Sequence, residues 1–500
     1  MNLKISARNL YLNDRLLQCL LLTFMFLYYG ALLYNAGVYV ESPPLNRTFN
    51  SMLDHFVQGR FDVDPNTVGD EGFLRNGHVY AYWGITCALL RLPLLLFHRM
   101  DMDVTLWSCL VAVCLAGAMK IKTVLFLRRY CGAAPASDLA FGLMLSYILL
   151  GGAGIGYLRS SIYQEVIFWA IAFASVFVYF AVKGLVSGQF TLGALSWMAF
   201  AAGLALLTRV STGIGLCTAF GLLLLVLLAA ELRARRVVFT RSFLIPAAIL
   251  ALLCIAVGAV NFYRWGSPWT FADHTFYLKN IPYPDRMPRT RLYGYFNLSR
   301  IPFGLGYFFL PIWVLRGANG LLLFENTQTR LMDAVELPPS SFFLTDLLPI
   351  AFIAFLAIAL WTARPVLSRA LGKGVLSAWQ AAPLPSSRLF SYAQALALAA
   401  GLAVPCLLML TAISMNYRYR MEFYPEIDLL AFLGLYATVS NPVLLARFNR
   451  CRRWMLAAAI LSIVSAFAIM VLYKLADLGP AQNHLRNGII HFYMYDAWRQ

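Results

Sequence analysis

Three carboxylates and five cations in this chain have the chemistry for a site. Asp54 and the adjacent pair Asp70 and Glu71 lie in a long polar segment, residues 41–103, among aromatic and apolar neighbours. Arg209, Arg264, Lys279, Arg418 and Arg420 lie in later segments. A carboxylate can take a proton from a hydroxyl. A guanidinium grips phosphate oxygens through two parallel N–H donors and stays charged when partly buried. Together such groups could hold a phosphate and act on a hydroxyl beside it. Arg209 separates two apolar runs, so it either closes a tight hairpin or faces a polar cavity. Residues 416–425 compress Arg418, Arg420, Glu422, Tyr417, Tyr419 and Tyr424 into a short connection, which also reads as an aromatic belt with paired charges. Glu165 and Asp138 each begin an apolar stretch and read as first-turn acids favoured by the helix dipole.

The elements that must position these groups are apolar. The chain is 60% hydrophobic and 13% charged, with a mean hydropathy of +0.68, outside the soluble globular range. Crossing a hydrocarbon layer of roughly 30 Å takes about 20 apolar residues in a helix, because lipid offers no partner for open backbone groups. Eleven stretches approach that length, near 17–40, 104–119, 138–157, 164–182, 190–208, 211–230, 242–262, 344–362, 389–414, 426–442 and 454–473. The fold class expected is an all-α polytopic membrane protein of about 11 transmembrane helices, one membrane-embedded unit over residues 1–500. The apolar run after Asp14 lacks a small-residue cleavage site and reads as a retained first helix.

Two segments are too long to be simple connections, residues 41–103 and 263–343. The run Ile85 to Phe97 is interrupted by Arg91 and Pro93 and suits an interfacial helix. Ile301 to Leu315 is marginal as a span, and helix parity favours a re-entrant or surface helix.

Lys and Arg in short loops stay on the cytoplasmic side. With the N-terminus inside, the inner segments collect 20 bases, Lys120, Lys122, Arg128, Arg129, Arg233, Arg447 and Arg453 among them, against only Asp14, Asp138 and Glu231. The whole formal charge of +17 then falls on the inner face, and the basic balance reports topology and not nucleic-acid binding. The outer segments still carry many cations, Arg286, Arg289, Arg291, Arg300, Arg316 and Arg330 besides those above, at the height of lipid phosphates.

No phosphate-binding G-x-x-x-x-G-K-[ST], H-E-x-x-H or G-x-S-x-G motif occurs, which removes the simplest ATPase, zinc protease and serine hydrolase readings. The nine cysteines are scattered without a C-x-x-C pair, and the histidines have no ligand-like spacing. No metal site and no required cofactor is expected, although a divalent ion could assist. There is no internal repeat of the kind many transporters show.

This arrangement resembles the C-type membrane glycosyltransferases that use polyprenyl-phosphate sugars, including protein mannosyltransferases and lipid A aminoarabinose transferases. Three passages carry the likeness: the acidic loop from Gly59, Asp62 and Asp64 through Asp70, Glu71 and Phe73; the Leu206 to Arg209 passage; and Asn261 to Pro268 around Arg264. The resemblance implies Asp54, Asp70 or Glu71 as catalytic base. It implies Arg209, Arg264, Arg418 and Arg420, with Lys279 beside them, as holders of the donor phosphate. It also implies transfer, with inversion, of a sugar from a polyprenyl-phosphate carrier to a glycan, lipid or protein acceptor at the outer face of a plasma (bacterial inner) membrane. The glycosyl phosphate already has a good leaving group, so one base can suffice without a protonating acid. Two departures stand beside it: the Asp70 and Glu71 pair lies further from the first helix than the family's acid commonly does, and no large soluble C-terminal domain is evident. The competing class is a transporter or flippase of an anionic lipid-linked cargo.

Overall fold

The computed structural model describes residues 2–34, 44–132, 135–233, 241–310, 341–372 and 386–478. Arg316 and Arg330, and the second long segment from 311 to 340, lie outside them. Each of the eleven apolar stretches coincides with a helix. They are α1 (Asn2–Leu33), α2 (Thr105–Cys131), α3 (Pro135–Leu150), α4 (Ile162–Ser187), α5 (Leu192–Leu206), α6 (Val210–Arg233), α7 (Arg241–Trp265), α8 (Leu347–Gly372), α9 (Ser386–Thr411), α10 (Tyr424–Ser440) and α11 (Arg452–Leu478). Among the described residues eight helices are long and apolar enough to cross a membrane, or nine if the bent pair Tyr417–Ser440 and Pro442–Arg450 is one span. Leu192–Leu206 and Leu347–Thr362 fall short of that length. The chain is thus an all-α polytopic membrane protein.

Hydrogen bonds between distant connections show which ends of the helices share a face. Ser160 donates to the Leu33 carbonyl at 3.3 Å and Thr86 N–H to that of Leu207 at 3.2 Å. Arg75 donates to Arg264 O at 2.8 Å, and Asn297 N–H to Thr411 O at 2.9 Å. These bonds gather the long segment 44–104, the 151–161 turn, the α5–α6 turn, the 266–300 segment and the 412–423 connection on one side, the loop face. At the opposite face Asp14 of α1 holds Arg128 and Arg129 of α2 at 3.3 and 2.6 Å, and Asp138 of α3 reaches Arg128 at 3.3 Å.

One expectation is corrected here. Lys120 and Lys122 read as bases of an inner loop, but α2 runs unbroken to Cys131 and carries both in its body. Lys120 is buried and meets Asp428 of α10 at 2.8 Å, and Lys122 lies over the Tyr179 ring at 4.7 Å. A partnered ammonium is tolerated at that depth, so the helix need not end where its hydropathy falls.

The segment 44–104 folds into short helices and one hairpin docked on the helix ends. The hairpin pairs β1 (Phe73–Arg75) with β2 (His78–Tyr80), and its turn uses Asn76 and Gly77 at positive φ. Asp62 braces it, accepting from Arg60 at 2.5 and 3.1 Å and meeting His78 at 3.1 Å and His55 at 3.3 Å. Burial alone would raise this carboxyl, but Arg60, His78 and His55 hold it down at about 2. Gly84 lies so close to the α5–α6 turn that a Cβ there would come 1.9 Å from the Leu207 carbonyl oxygen. The apolar run Ile85–Phe97 forms two short helices, Thr86–Leu89 and Leu92–Leu96, leaving Leu92, Leu96 and Phe97 exposed. Ile301–Phe309 is likewise a short helix, seated against α9.

Arg91, which interrupts that run, points inward. It meets Glu165 of α4 at 2.8 Å and Asn50 at 3.2 Å, while Ser108 of α2 donates to Glu165 at 2.5 Å. Glu165 is therefore a fully buried ion-pair partner as well as a first-turn acid. Removing one member of such a pair leaves the other as an uncompensated charge. Glu165→Gln and Arg91→Met are each expected to cost about 3 kcal/mol. The double variant should recover part of that loss, read from thermal unfolding in detergent. A double variant as unstable as the summed singles would contradict the pairing.

Candidate active site

The site is built where the two long segments meet. Phe73 and Tyr277 form an isolated antiparallel bridge, and Leu278 N–H donates to Gly72 O at 2.9 Å. Antiparallel pairing advances one strand as it retreats along the other, so this register sets Glu71 opposite Lys279. The Lys279 ammonium accordingly donates to Glu71 Oε1 at 2.6 Å, and the Tyr277 hydroxyl donates to Oε2. Phe73 stacks on the Tyr277 ring at 4.7 Å and so fixes that hydroxyl.

Glu71 is buried, and burial would raise its carboxyl. Lys279, Tyr277 and a further hydrogen bond from Tyr163 outweigh that and hold it below the usual value of 4.5. Lys279 shifts in the matching direction: burial lowers it, and the hydrogen bond and charge of Glu71 raise it above the ordinary ammonium value. Tyr82 beside them is 36% exposed, so it borders open space. Its hydroxyl is pushed up by burial and by Glu71, with Arg418 and Arg209 acting in the opposite sense.

A chain of cations and rings leads away from Glu71. Arg418 lies over Tyr163 at 4.8 Å and over Tyr419 at 5.6 Å. Arg209 lies over the same Tyr419 at 5.3 Å. Arg286 sits over the Tyr277 ring at 5.2 Å. A guanidinium over an aromatic face is attracted by the ring and held in orientation. Arg209 is further aimed by Glu422, a fully buried carboxylate that accepts from it and from the Ser211 and Thr212 hydroxyls at 2.7 and 2.5 Å. The α5–α6 turn that carries Arg209 is only three residues long, Leu207 to Arg209. The tight-hairpin reading of that arginine thus applies.

The structure brings Glu71, Lys279, Arg209 and Arg418 together. Asp70 is exposed at the edge of this group, close enough to favour the Lys279 charge. Asp54 is exposed on a separate helix, Thr48–Val57, where its recorded partner is Gln58 at 3.3 Å. Arg264 is buried below the hairpin, donating to the Trp83 carbonyl at 2.8 Å and to Met52 Sδ at 3.2 Å. Arg420 is fully buried and bound to Asp346 at 2.5 Å, Thr345 at 2.9 Å and Tyr424 at 2.9 Å. These last two arginines hold the loops in place and do not join the Glu71 group.

Tyr82, Tyr163, Tyr277, Tyr419, Arg286 and Glu422 were not singled out by the sequence as members of the site. Glu422 and Tyr419 carried a signal in their closeness in sequence to Arg418, and Arg286 in its place among the outer cations. Among the described residues no three His, Cys, Asp or Glu side chains converge as metal ligands. The groups present can hold an anion through Arg209, Arg418 and Lys279 and present one ionised carboxylate beside it. No protein-family model, curated protein or solved structure matches the chain.

A carboxyl held low in the folded state adds stability above its unfolded value that is lost as the pH falls through its folded value. Glu71 is of this kind, so the docking of 71–73 on 277–279 should weaken as the pH drops below about 4.5, the unfolded reference. Thermal unfolding of wild type and Glu71→Gln between pH 7 and the acid limit of folding checks this. The two curves should converge at the acid end, and parallel curves would remove Glu71 from the linkage.

Proposed function

We propose that the chain is an integral membrane glycosyltransferase. It moves a sugar from a polyprenyl-phosphate carrier to the hydroxyl of a glycan, lipid or protein acceptor, with inversion. The observation that carries this reading is an ionised, buried Glu71 at the end of a continuous run of contacts through Tyr163, Arg418 and Tyr419 to Arg209, with Lys279 on the carboxylate itself. The apolar helices support a bilayer setting, and the group lies at the loop ends of those helices, where a lipid-borne phosphate resides.

In this reading Glu71 takes the proton of the acceptor hydroxyl. The hydroxyl oxygen forms a bond to the sugar C1, and the C1–O bond to phosphate breaks, its electron pair leaving with the polyprenyl phosphate. Arg209, Arg418 and Lys279 stabilise the charge that gathers on that phosphate. The loop face is then the non-cytoplasmic side of a plasma or bacterial inner membrane. The cluster of Arg128 and Arg129 at the opposite face, continued in sequence by Arg447, Arg450, Arg452 and Arg453, supports this orientation.

The transporter reading has no comparable cluster behind it: Lys120 with Asp428 and Arg420 with Asp346 are buried pairs that satisfy each other.

Purified protein given radiolabelled polyprenyl-phosphate hexoses and pentoses with a panel of hydroxyl acceptors tests the proposal. Glu71→Gln should lose about 10² to 10⁴ in turnover, the usual contribution of a positioned base. Asp54→Asn should be unaffected, and Arg209→Ala and Arg418→Ala should each raise the donor KM about tenfold, the scale of a lost charge-assisted contact. Transfer by Glu71→Gln at the wild-type rate would exclude Glu71 as the base. Outward flux of lipid-linked sugar without transfer would favour the transporter.

A further inference from the structure

The Glu71 carboxylate is engaged on both oxygens. Lys279 holds Oε1 at 2.6 Å, Tyr277 holds Oε2, and Tyr163 adds a third donor. A carboxylate has about four acceptor sites, so these three donors leave little room, and an ammonium held on one oxygen lowers its basicity toward a substrate proton until that cation withdraws. The three partners differ in freedom. Tyr277 is fixed by its backbone bridge to Phe73 and by the ring stack. Tyr163 sits in the first turn of α4, its ring 5.6 Å from that of Trp83 and under Arg418. Lys279 carries its ammonium on a flexible four-carbon stem from the short turn Leu278–Asn280, with 30% of the side chain exposed. It is the movable partner, and the charge of nearby Arg286 already opposes its own.

We propose that Lys279 is a latch on Glu71: in the empty protein its ammonium occupies the carboxylate, and the phosphate of a lipid-linked substrate draws it away, so that phosphate binding frees the base. The inference rests on reading this group as a phosphate-binding carboxylate site, and it adds how the site is regulated. The carboxylate stays silent until the donor arrives, and the acceptor is engaged second. The exposed phosphate of the carrier competes with Glu71 for one ammonium. A protein lacking the Glu71 charge should therefore bind phosphate more tightly than wild type, the opposite of what loss of a supporting strut would do.

The test measures binding of undecaprenyl phosphate to the full-length protein in detergent for wild type, Glu71→Gln, Lys279→Ala and the double variant. Glu71→Gln should bind about threefold to fivefold tighter, the range set by a half-exposed ion pair. Lys279→Ala should bind about fivefold weaker, and the double variant should match Lys279→Ala. Glu71→Gln binding that is unchanged or weaker would overturn the latch, since Lys279 would then be a fixed support. Inorganic phosphate is the second arm: an ordering kept with undecaprenyl phosphate and absent with inorganic phosphate supports the latch and assigns it to the lipid-borne source, and an ordering absent from both overturns it. Failure to transfer any sugar would leave the binding order intact, whereas unchanged binding alongside measurable transfer would remove the latch alone.

Discussion

A charge withdrawn from water must find a partner, and this chain is organised by how it meets that demand. Three buried pairs join elements far apart in sequence, Arg91 with Glu165, Lys120 with Asp428 and Arg420 with Asp346, and a buried Glu422 likewise holds the partly exposed Arg209. Each would be costly with one member missing, because the survivor would stand unpaired in low dielectric. Apolar packing between helices in lipid is weakly directional. The pairs therefore fix which helix ends meet and at what height, and the loop segments take their positions from those ends. Arg91 draws the 85–97 run down onto α2 and α4, and Arg420 ties the 417–423 connection to the start of α8.

Against that background the Glu71–Lys279 pair differs, since its carboxylate is buried while its cation stays partly open. Lys279 keeps 30% of its side chain open, compared with 1% for Arg91 and 0% for Arg420. Fully enclosed pairs cannot exchange partners without unpacking helices, and they act as fasteners. A half-open pair can exchange one ion for another of like charge at small cost. This difference in burial, and not any difference in residue type, separates the arginines that hold the loops from the cations that can meet a ligand.

The helices were legible in the sequence because hydropathy and length are local properties, though of about eleven expected spans eight, or nine with the bent pair, are long and apolar enough among the described residues. The break of the 85–97 run was also legible, since Arg91 and Pro93 interrupt it and it forms two short helices. Lys120 misled for the same reason that hydropathy works, because a single polar residue marks an end unless its partner is known, and Asp428 lies on a helix far along the chain. The site was legible by type and not by membership. Carboxylates and arginines were expected on one face, but the choice of Glu71 over Asp54 depends on a single bridge between Phe73 and Tyr277, and no local pattern announces a pairing across two hundred residues of chain.

The tyrosines follow from the same geometry. A cluster made only of arginines would repel itself. Here Arg209 and Arg418 share the face of Tyr419, Arg418 also covers Tyr163, and Arg286 covers Tyr277. Each ring offers its negative face to a guanidinium while its hydroxyl is left for other work, and Tyr163 and Tyr277 direct theirs at Glu71. One aromatic residue thus steadies a cation on its face and a carboxylate at its edge. That is how acids and cations are held close on this surface, and why replacing a ring would disturb both sets of charges together.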